Sequence, residues 1–315
     1  MSDNRIDELD ALMARREVRA SRRRWRIVAM LAVAVLVIGL GWWAGASFSR
    51  PENSPHIARV SITGTILPDP DRVAILEALT ENDKVTAVIV AIESPGGATA
   101  GGEELYEALR SLGETKPVVA VIGQLGASAA YMTAIATDRI FARRLSVVGS
   151  IGVLYTHVDA SQLLDTIGID LDRVTTGPLK AEPEIDEPMA PAVRQSLQSL
   201  VDDAYDWFVD IVAERRGLDR ADVLRLADGR IMTGQMGLAA GLIDATGGEA
   251  EAIGWLEAER AVAADLPVLG YYPPPADPWT QFRRAVGQSA AEALGIGAAS
   301  IGPLDGLVSV WHPRP

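Results

Sequence analysis

At 315 residues the chain is long enough to bury a substantial core, and it is expected to form one main domain with appendages. It contains no cysteine, which excludes disulfides, thiolate metal sites and a thiol nucleophile. Its formal net charge of -13 argues against a nucleic-acid partner, because phosphate binding requires a basic face.

The N-terminal segment, residues 1–26, differs in charge from the rest of the chain. It holds eight arginines and five acidic residues, so it is basic, whereas the remainder carries the negative charge. An uncharged stretch of twenty residues follows it, residues 27–46, IVAMLAVAVLVIGLGWWAGA. That length matches an α-helix crossing about 30 Å of hydrocarbon, so the sequence predicts a transmembrane anchor in the lipid bilayer.

The arginines before the anchor place the N-terminus in the cytoplasm by the positive-inside rule and export everything after it. The alternative is a cleaved signal peptide, because Ala44, Gly45 and Ala46 fit a signal-peptidase site. Both interpretations put the body of the protein outside the cytoplasm.

After the anchor, residues 47–56 form a polar, proline-containing tether, and the folded body is predicted over residues 57–260. Apolar residues there predict strands over 57–66, 85–92, 117–123, 139–142 and 147–154. Helical patterns lie between and after them, over 72–79, 103–112, 129–136, 161–167 and 192–216, with a further helix capped by Asp219. Near-continuous apolar strands alternating with helices predict an α/β fold of parallel βαβ units. Residues 261–315 are a weakly patterned C-terminal extension with no assigned role.

Two loops follow predicted parallel strands at their C-terminal ends, where open α/β sheets place their ligands. The first is SPGGATAGG, residues 94–102, whose glycines could turn backbone N–H groups toward a ligand oxygen. The second is GASAAY, residues 126–131, which places Ser128 at a strand-to-helix junction. Taken singly, the first motif is more often a turn and the second more often close helix packing.

A serine nucleophile requires a base, and the three histidines are poorly placed for it. His56 lies in the tether and His312 lies near the end, which leaves His157 as a residue of the fold that is more often structural. The remaining options for the base are a carboxylate or a lysine whose pKa is lowered by burial, because desolvation disfavours the ammonium form. Lys180 fits this role, since it stands in a loop rich in turn-forming residues, and Ser150 lies between glycines where its hydroxyl could orient an amine.

Together the segments SPGG, GASAAY, GSIGV, TGPLK and ADGRIMTGQMGLAAGLID resemble, in order and approximate spacing, the motifs of the signal peptide peptidase A family. The resemblance covers about residues 57–255 and fits the short, single-copy form. It implies a ClpP/crotonase-like fold, a repeated ββα superhelix, preceded by one transmembrane helix. The acidic stretch after Lys180, AEPEIDEP, departs from many relatives, in which proline and aromatic residues stand there.

The resemblance also implies the site. Ser128 would be the nucleophile and Lys180 the general base, Ser150 would orient the lysine, and the N–H groups of Gly97 and Ala129 would form the oxyanion hole. No metal or cofactor is expected. The implied activity is that of a membrane-anchored serine endopeptidase acting on signal-peptide remnants and other apolar peptides. The implied location is the bacterial inner membrane with the catalytic domain periplasmic, and the implied assembly is a ring-like homo-oligomer, expected to be an octamer.

Two other functions remain open at this point. A crotonase-like acyl-CoA enzyme would share the fold and use two backbone N–H groups without a serine nucleophile, although export of the body argues against it. A catalytically silent membrane scaffold would use the folded body only for assembly. Covalent labelling of Ser128 separates both of these from a peptidase.

Overall fold

The computed structural model describes residue 25 and residues 29–37, 51–273 and 308–310. The chain divides into two compact units, Met1–Ser54 and Pro55–Pro315. In the first unit, residues 29–37 are helical and Pro51–Asn53 form a 3-10 turn. Most of the predicted anchor, residues 27–46, lies outside the described residues. Within the described part of the chain, no helix combines the length and the apolar character needed to cross a membrane.

The second unit contains an α/β fold in which strands and helices alternate along most of the chain. The strands are β1 (His56–Ile66), β2 (Val85–Ala98), β3 (Val118–Ala127), β4 (Arg139–Ala142), β5 (Val147–Gly149), β6 (Ile231–Thr233), β7 (Ala245–Thr246), β8 (Val268–Tyr272) and β9 (Val308–Val310). The helices are α1 (Pro70–Glu81), α2 (Thr99–Gly113), α3 (Ala129–Ile135), α4 (Ser161–Ile167), α5 (Pro191–Arg216), α6 (Arg220–Leu226), α7 (Gly234–Ala239) and α8 (Glu249–Glu259).

The described strands join one sheet whose main path runs β6-β5-β3-β2-β1-β8. β1, β2 and β3 are mutually parallel neighbours, and β4 and β5 both pair parallel to β3. The predicted parallel βαβ units are therefore confirmed. Two pairs are antiparallel, β5 with β6 and β2 with β9.

The two faces of the sheet bury different apolar sets, because successive side chains of a strand point to opposite sides. In β2, Val88 and Val90 join the larger core, which packs against α1, α2, α3 and α5. Ala87 and Ile89 join the smaller core on the opposite face, together with Ala252 and Leu256 of α8. A strand buried on both faces is apolar at every position, which explains the continuous run VTAVIVAI.

The C-terminal ends of β2 and β5 differ from the prediction. Residues 94–98, expected to be a loop, continue β2, because Gly96 and Gly97 remain paired with Thr65 and Ile66 of β1. Conversely, β5 ends at Gly149 and not at residue 154, because positive φ angles at Gly149 (87°) and Ser150 (52°) turn the chain out of the sheet.

Helix ends follow the sequence closely. α5 begins at Pro191, where a proline needs no N–H partner, and ends before Gly217, whose φ of 62° gives the expected left-handed cap. Asp219 is the N-cap of α6 as predicted, although its side chain makes no capping hydrogen bond. Its backbone carbonyl instead accepts from the N–H groups of Asp222 and Val223.

Candidate active site

Ser128 occupies the turn between β3 and α3, and its backbone conformation is unusual. Its φ is 60° and its ψ is -123°, which a residue with a side chain rarely adopts, and the residue is only 1% exposed. Such a conformation costs about 1–3 kcal/mol and persists only when its surroundings hold it. Sharp strand-to-helix turns of this kind present a nucleophilic hydroxyl at the edge of a sheet.

Two hydrogen bonds hold this turn. The Ser128 N–H donates to the Gly149 carbonyl (2.8 Å), which extends the pairing of Ala127 with Gly149 by one step. The Ser128 carbonyl accepts from the Met132 N–H (2.9 Å) as the first bond of α3. The turn is therefore fixed from the sheet on one side and from the helix on the other.

The small residues around the turn are required by packing as well as by the turn. A Cβ on Gly102 would lie 2.9 Å from Met132 Sδ and 3.0 Å from Ala129 Cβ, so α2 and α3 touch closely. Tyr131 is fully buried and donates to the Leu242 carbonyl (2.7 Å), and burial raises the pKa of Tyr131, which keeps the hydroxyl protonated as a donor. The segment GASAAY therefore provides both the close packing of α3 against α2 and the turn that carries Ser128.

The end of β2 lies beside this turn, because Ser94 pairs with Gly126 two residues before Ser128. Gly97 is buried against β1, and a Cβ there would fall 1.9 Å from the Ile66 carbonyl oxygen. Only glycine fits this position without displacing backbone. Gly97 thus belongs to the end of β2, and the first N–H of α3 is on Ala129, the residue after Ser128. Their role as an oxyanion hole stays a prediction.

Ser94 shapes this segment, a role that the sequence analysis did not assign. It is completely buried, and its hydroxyl donates to the Gly64 carbonyl (2.6 Å) while accepting from the Gly96 N–H (3.1 Å). These bonds tie the glycine-rich end of β2 to β1. The position of Ser94 directly before Pro95, at the end of an apolar strand, was the available signal.

Ser150 follows β5 and is 8% exposed. Its N–H donates to the Arg230 carbonyl (2.8 Å), and the Gly229 N–H donates to the Ile151 carbonyl (3.2 Å). The Arg230 guanidinium in turn bonds Asp228 (2.7 Å) and holds the pKa of that carboxyl at about 2. The segment DGR, residues 228–230, therefore fixes the backbone of the segment that carries Ser150. This segment directly follows Gly149, whose carbonyl holds Ser128.

Lys180 lies apart from this arrangement. It stands in an arm, residues 154–190, that connects the body to α5, and in the single chain its side chain is exposed. Its backbone N–H donates to the Gly177 carbonyl (3.0 Å), and the following residue, Ala181, has a φ of 75°. Among the described residues, the Lys180 side chain makes no hydrogen bond with Ser128 or Ser150. The pairing of the lysine with the serine therefore stays a prediction.

The arm is held together by its own contacts. Arg173 pairs with Glu184 (3.1 Å) and with Asp186 (2.8 Å), and the Ala160 N–H donates to the Ile185 carbonyl (2.8 Å). Its helix α4 has no buried residue. Large apolar side chains are exposed along the arm: Leu154, Val158, Leu163, Ile167, Ile169, Leu171, Val174, Leu179 and Ile185.

Two of the three histidines fall on described residues. His56 is buried at the start of β1, stacks on the Tyr271 ring and bonds its hydroxyl (2.7 Å), which is a structural role. His157 belongs to the arm, where it lines a surface cavity of about 540 Å³ with Met189 and Arg194. Neither residue has a described contact with Ser128. His312 lies outside the described residues.

Comparison with known proteins identifies relatives over most of the chain. Residues 110–263 match the model of peptidase family S49, a range that includes Ser128, Ser150 and Lys180 and begins after Gly97. A candidate protease of Synechocystis sp., slr0021, is 35% identical over 247 residues, which are 76% of this chain and 88% of that protein.

The alignment with two further relatives covers a smaller share of each of those proteins. The chloroplastic serine protease SPPA of Arabidopsis thaliana is 30% identical over 214 residues, which are 67% of this chain and 30% of that protein. A candidate signal peptide peptidase SppA of Enterococcus faecium is 29% identical over 197 residues, 62% of this chain and 57% of that protein.

Proposed function

Because the chain belongs to peptidase family S49, we propose that it is a membrane-anchored serine endopeptidase with Ser128 as nucleophile and Lys180 as general base. The observation that carries the proposal is the Ser128 turn, a buried serine at φ 60° beside the glycine-rich end of β2. The structure describes five non-glycine residues with positive φ. Ser128 and Ser150 are two of them, and a third, Ala181, directly follows Lys180. Such conformations cluster at active sites.

The proposed chemistry is acyl transfer. The Ser128 hydroxyl attacks the substrate carbonyl carbon while the neutral Lys180 amine takes the hydroxyl proton. The N–H groups of Gly97 and Ala129 stabilise the oxyanion of the tetrahedral intermediate. The protonated lysine then delivers its proton to the leaving amine, the C–N bond breaks, and water hydrolyses the acyl ester to release the acid and regenerate the serine.

The fold proposed for the body is the ClpP/crotonase-like ββα superhelix. Its support is the parallel arrangement of β1, β2 and β3, with α2 leading from β2 to β3, and the additional pairing of β4 and β5 with β3. This arrangement places the carboxyl ends of β2 and β3, and hence Gly97 and Ser128, at one edge of the sheet.

The proposed substrates are signal-peptide remnants and other apolar peptides near the membrane. The name of the Enterococcus faecium relative supports this substrate class for that protein, and the uncharged residues 27–46 would hold the present chain at the same bilayer. The proposed location is the bacterial inner membrane, with the body periplasmic. A reporter fused after Pro315 should be active only outside the cytoplasm, and cytoplasmic reporter activity would contradict this topology.

The proposed assembly is a ring-like homo-oligomer, an octamer, in which the arm of one subunit packs on its neighbour. The exposed apolar side chains of the arm support this, since contiguous apolar surface marks interaction sites. Val174, for example, is 99% exposed in the single chain. Packing of the arm against a neighbour would also bury Lys180, which a lysine base requires in order to be neutral.

The nucleophile is tested by covalent labelling. A fluorophosphonate probe should label the full chain and leave the Ser128→Ala variant unlabelled, with the label located on the peptide that contains Ser128. Ser146→Ala is the matched control, because that buried serine bonds the Gly123 carbonyl (2.5 Å) and should not affect labelling. Labelling that persists in Ser128→Ala would refute the nucleophile, and an acyl-CoA enzyme or scaffold should not be labelled at all.

The shared site is tested by mixing two inactive variants. If Lys180 serves the serine of a neighbouring subunit, an equal mixture of Ser128→Ala and Lys180→Ala subunits should regain activity at about a quarter of the sites, since that fraction combines an intact serine with an intact lysine. The subunits must be dissociated and reassembled together. A mixture that stays inactive while forming mixed oligomers would show that both residues act within one chain.

A further inference from the structure

The turn between β4 and β5 holds a leucine in an exposed position. Leu145 lies in this turn and is 77% exposed. The turn is fixed from within, because the Ser146 N–H donates to the Arg143 carbonyl (3.0 Å). It is also fixed from α7, because the Gln235 N–H donates to the Arg144 carbonyl (3.0 Å). A side chain on a fixed turn loses less conformational entropy on binding than one on a free loop, so this turn is suited to contact a partner.

The same turn is basic, on a chain whose formal net charge is -13. Arg143 and Arg144 are exposed, and neither makes an ion pair with another residue that the structure describes. Met236 of α7 directly follows Gln235 and is exposed as well. Arginine and methionine are enriched at protein interfaces. This surface, the basic turn (residues 143–145 with Met236), therefore predicts a partner surface that is apolar and acidic.

A surface of that character lies between α1 and α2. It is a groove of about 380 Å³, to which Val73 and Ala108 contribute apolar side chains. Three glutamates that line the groove are exposed and make no ion pair within the described part of the chain: Glu77, Glu103 and Glu107. A fourth, Glu104, is paired with Arg72 (3.5 Å). We call this surface the acidic groove.

The basic turn and the acidic groove lie toward opposite ends of the sheet. β4 and β5 both pair with β3 on the edge that faces away from β2, so the basic turn lies beyond β3. α1 lies toward β8 at the other end, where the Arg72 guanidinium stacks over the Tyr272 ring (5.9 Å). The strands β3 and β2 lie between the two surfaces, at about 4.8 Å per strand. One chain therefore cannot place its basic turn in its own acidic groove.

We infer that the acidic groove of one chain binds the basic turn of a neighbouring copy, with Leu145 against the apolar lining and the two arginines beside the unpaired glutamates. This inference rests on the assembly in the proposed function and adds a second contact to that of the arm. Because the two surfaces differ, each copy offers its turn to one neighbour and its groove to the next, as a closed ring requires.

Charge complementarity favours a second copy over the other surface that could bind the turn. A bilayer with anionic head groups would also attract two arginines and an exposed leucine. It would leave the three unpaired glutamates of the groove without a partner, whereas a second copy supplies both surfaces with opposite charge.

The contact is tested by photo-cross-linking in the full chain. Leu145→p-benzoylphenylalanine places a benzophenone on the basic turn. On irradiation its carbonyl carbon bonds the carbon of a neighbouring C–H group, whose hydrogen moves to the carbonyl oxygen. A denaturing gel should show a two-chain band, and mass spectrometry should locate the attachment on α1 or α2.

Leu224→p-benzoylphenylalanine is the matched control, because Leu224 of α6 is 40% exposed and lies in neither surface. It should not attach to α1 or α2. Attachment from position 145 to lipid, to the same chain or to any other segment of a second chain would overturn the inference, as would the absence of a two-chain band.

The charges are tested by reversal and exchange. Arg143→Glu/Arg144→Glu and Glu103→Lys/Glu107→Lys should each raise the dissociation constant of the assembly at least about tenfold, because each places like charges opposite one another. All four substitutions together restore opposite charges and should return the constant to within about threefold of the unmodified chain. Sedimentation velocity of the detergent-solubilised full chain over a dilution series measures the constant.

A control separates the contact from an effect of net charge. It combines Arg143→Glu/Arg144→Glu with Glu257→Lys/Glu259→Lys on α8, which gives the net charge of the exchanged protein and leaves the acidic groove unchanged. This control should stay as weakly assembled as Arg143→Glu/Arg144→Glu alone. Equal recovery in the control and the exchanged protein, or no recovery in the exchanged protein, would overturn the inference.

Failure of this contact is distinguishable from failure of the proposed peptidase. Fluorophosphonate labelling of Ser128 tests the nucleophile, and the cross-link from position 145 tests the contact. A chain that assembles and is labelled, but gives no cross-link to α1 or α2, would keep the proposed nucleophile and overturn the contact. A cross-linked assembly without labelling would keep the contact and refute the nucleophile.

Discussion

The substitution Gly97→Ala tests whether the close contact between β1 and β2 positions the proposed oxyanion hole. The added Cβ would lie 1.9 Å from the Ile66 carbonyl oxygen and 2.6 Å from the Ile66 carbonyl carbon and nitrogen. All three are backbone atoms in a paired strand, so no side-chain rotation can relieve the contact. The end of β2 must move away from β1 by about 1 Å to reach an acceptable separation.

The expected loss of activity follows from that movement. A displacement of about 1 Å in a catalytic group costs about 100-fold in rate, and loss of one oxyanion-hole donor costs about 100- to 1,000-fold. We therefore expect kcat to fall at least about 100-fold. The same strain should lower the free energy of unfolding by about 1–3 kcal/mol, because overpacking a buried site is destabilising.

Gly254→Ala is the matched control, since that glycine lies inside α8 and an added Cβ meets no atom within 4 Å. It should leave kcat unchanged and raise the free energy of unfolding by up to about 1 kcal/mol. Steady-state peptide hydrolysis and urea unfolding measure the two effects separately. A Gly97→Ala protein that folds normally and keeps kcat within about threefold of the unmodified chain would refute the role given to Gly97.

Two further predictions concern the proposed base and the acid stability of the fold. Lys180→Ala and Lys180→Arg should each abolish hydrolysis with folding and assembly intact, since a guanidinium stays protonated, whereas His157→Ala should retain most activity. Loss of activity in folded His157→Ala would point to a serine/histidine mechanism. The Tyr272 hydroxyl bonds Asp69 and lowers the pKa of that carboxyl below 3.8. The resulting stabilisation is present above that value and is lost as the pH falls through the lower folded pKa. Between about pH 7 and about pH 3, the free energy of unfolding should therefore fall less in Tyr272→Phe than in the unmodified chain. Urea unfolding at the two pH values measures this, and an equal fall in both proteins would contradict it.

The elements of the body could be predicted from sequence because their patterns are local. Strands buried on both faces are apolar throughout, and α5 has a proline at its start and a glycine at its end. The start of β2 and both ends of α5 were therefore predicted near their observed positions. The extension of β2 through residues 94–98 was not predictable in this way. It depends on the hydrogen bond that the Ser94 hydroxyl donates to the Gly64 carbonyl and on the one that it accepts from the Gly96 N–H. The SPGG sequence itself has the composition of a turn.

The site was predictable only in part, for a related reason. The Ser128 turn is specified by small residues next to it in sequence, so its motif could be recognised. The Gly149 and Arg230 carbonyls that hold Ser128 and Ser150 are backbone groups, which leave no signature in the residue types. The pairing of Val308–Val310 with β2 joins segments more than 200 residues apart, and no local pattern encodes such a contact.

In the proposed function, the nucleophile and the base depend on different parts of the assembly. The Ser128 turn is complete within one folded body, because Gly149 and Met132 hold it without help from another chain. The proposed base lies on an exposed arm, so its burial would depend on assembly. Assembly should therefore change kcat by creating competent sites. A dilution series tests this, because an effect of assembly depends on protein concentration.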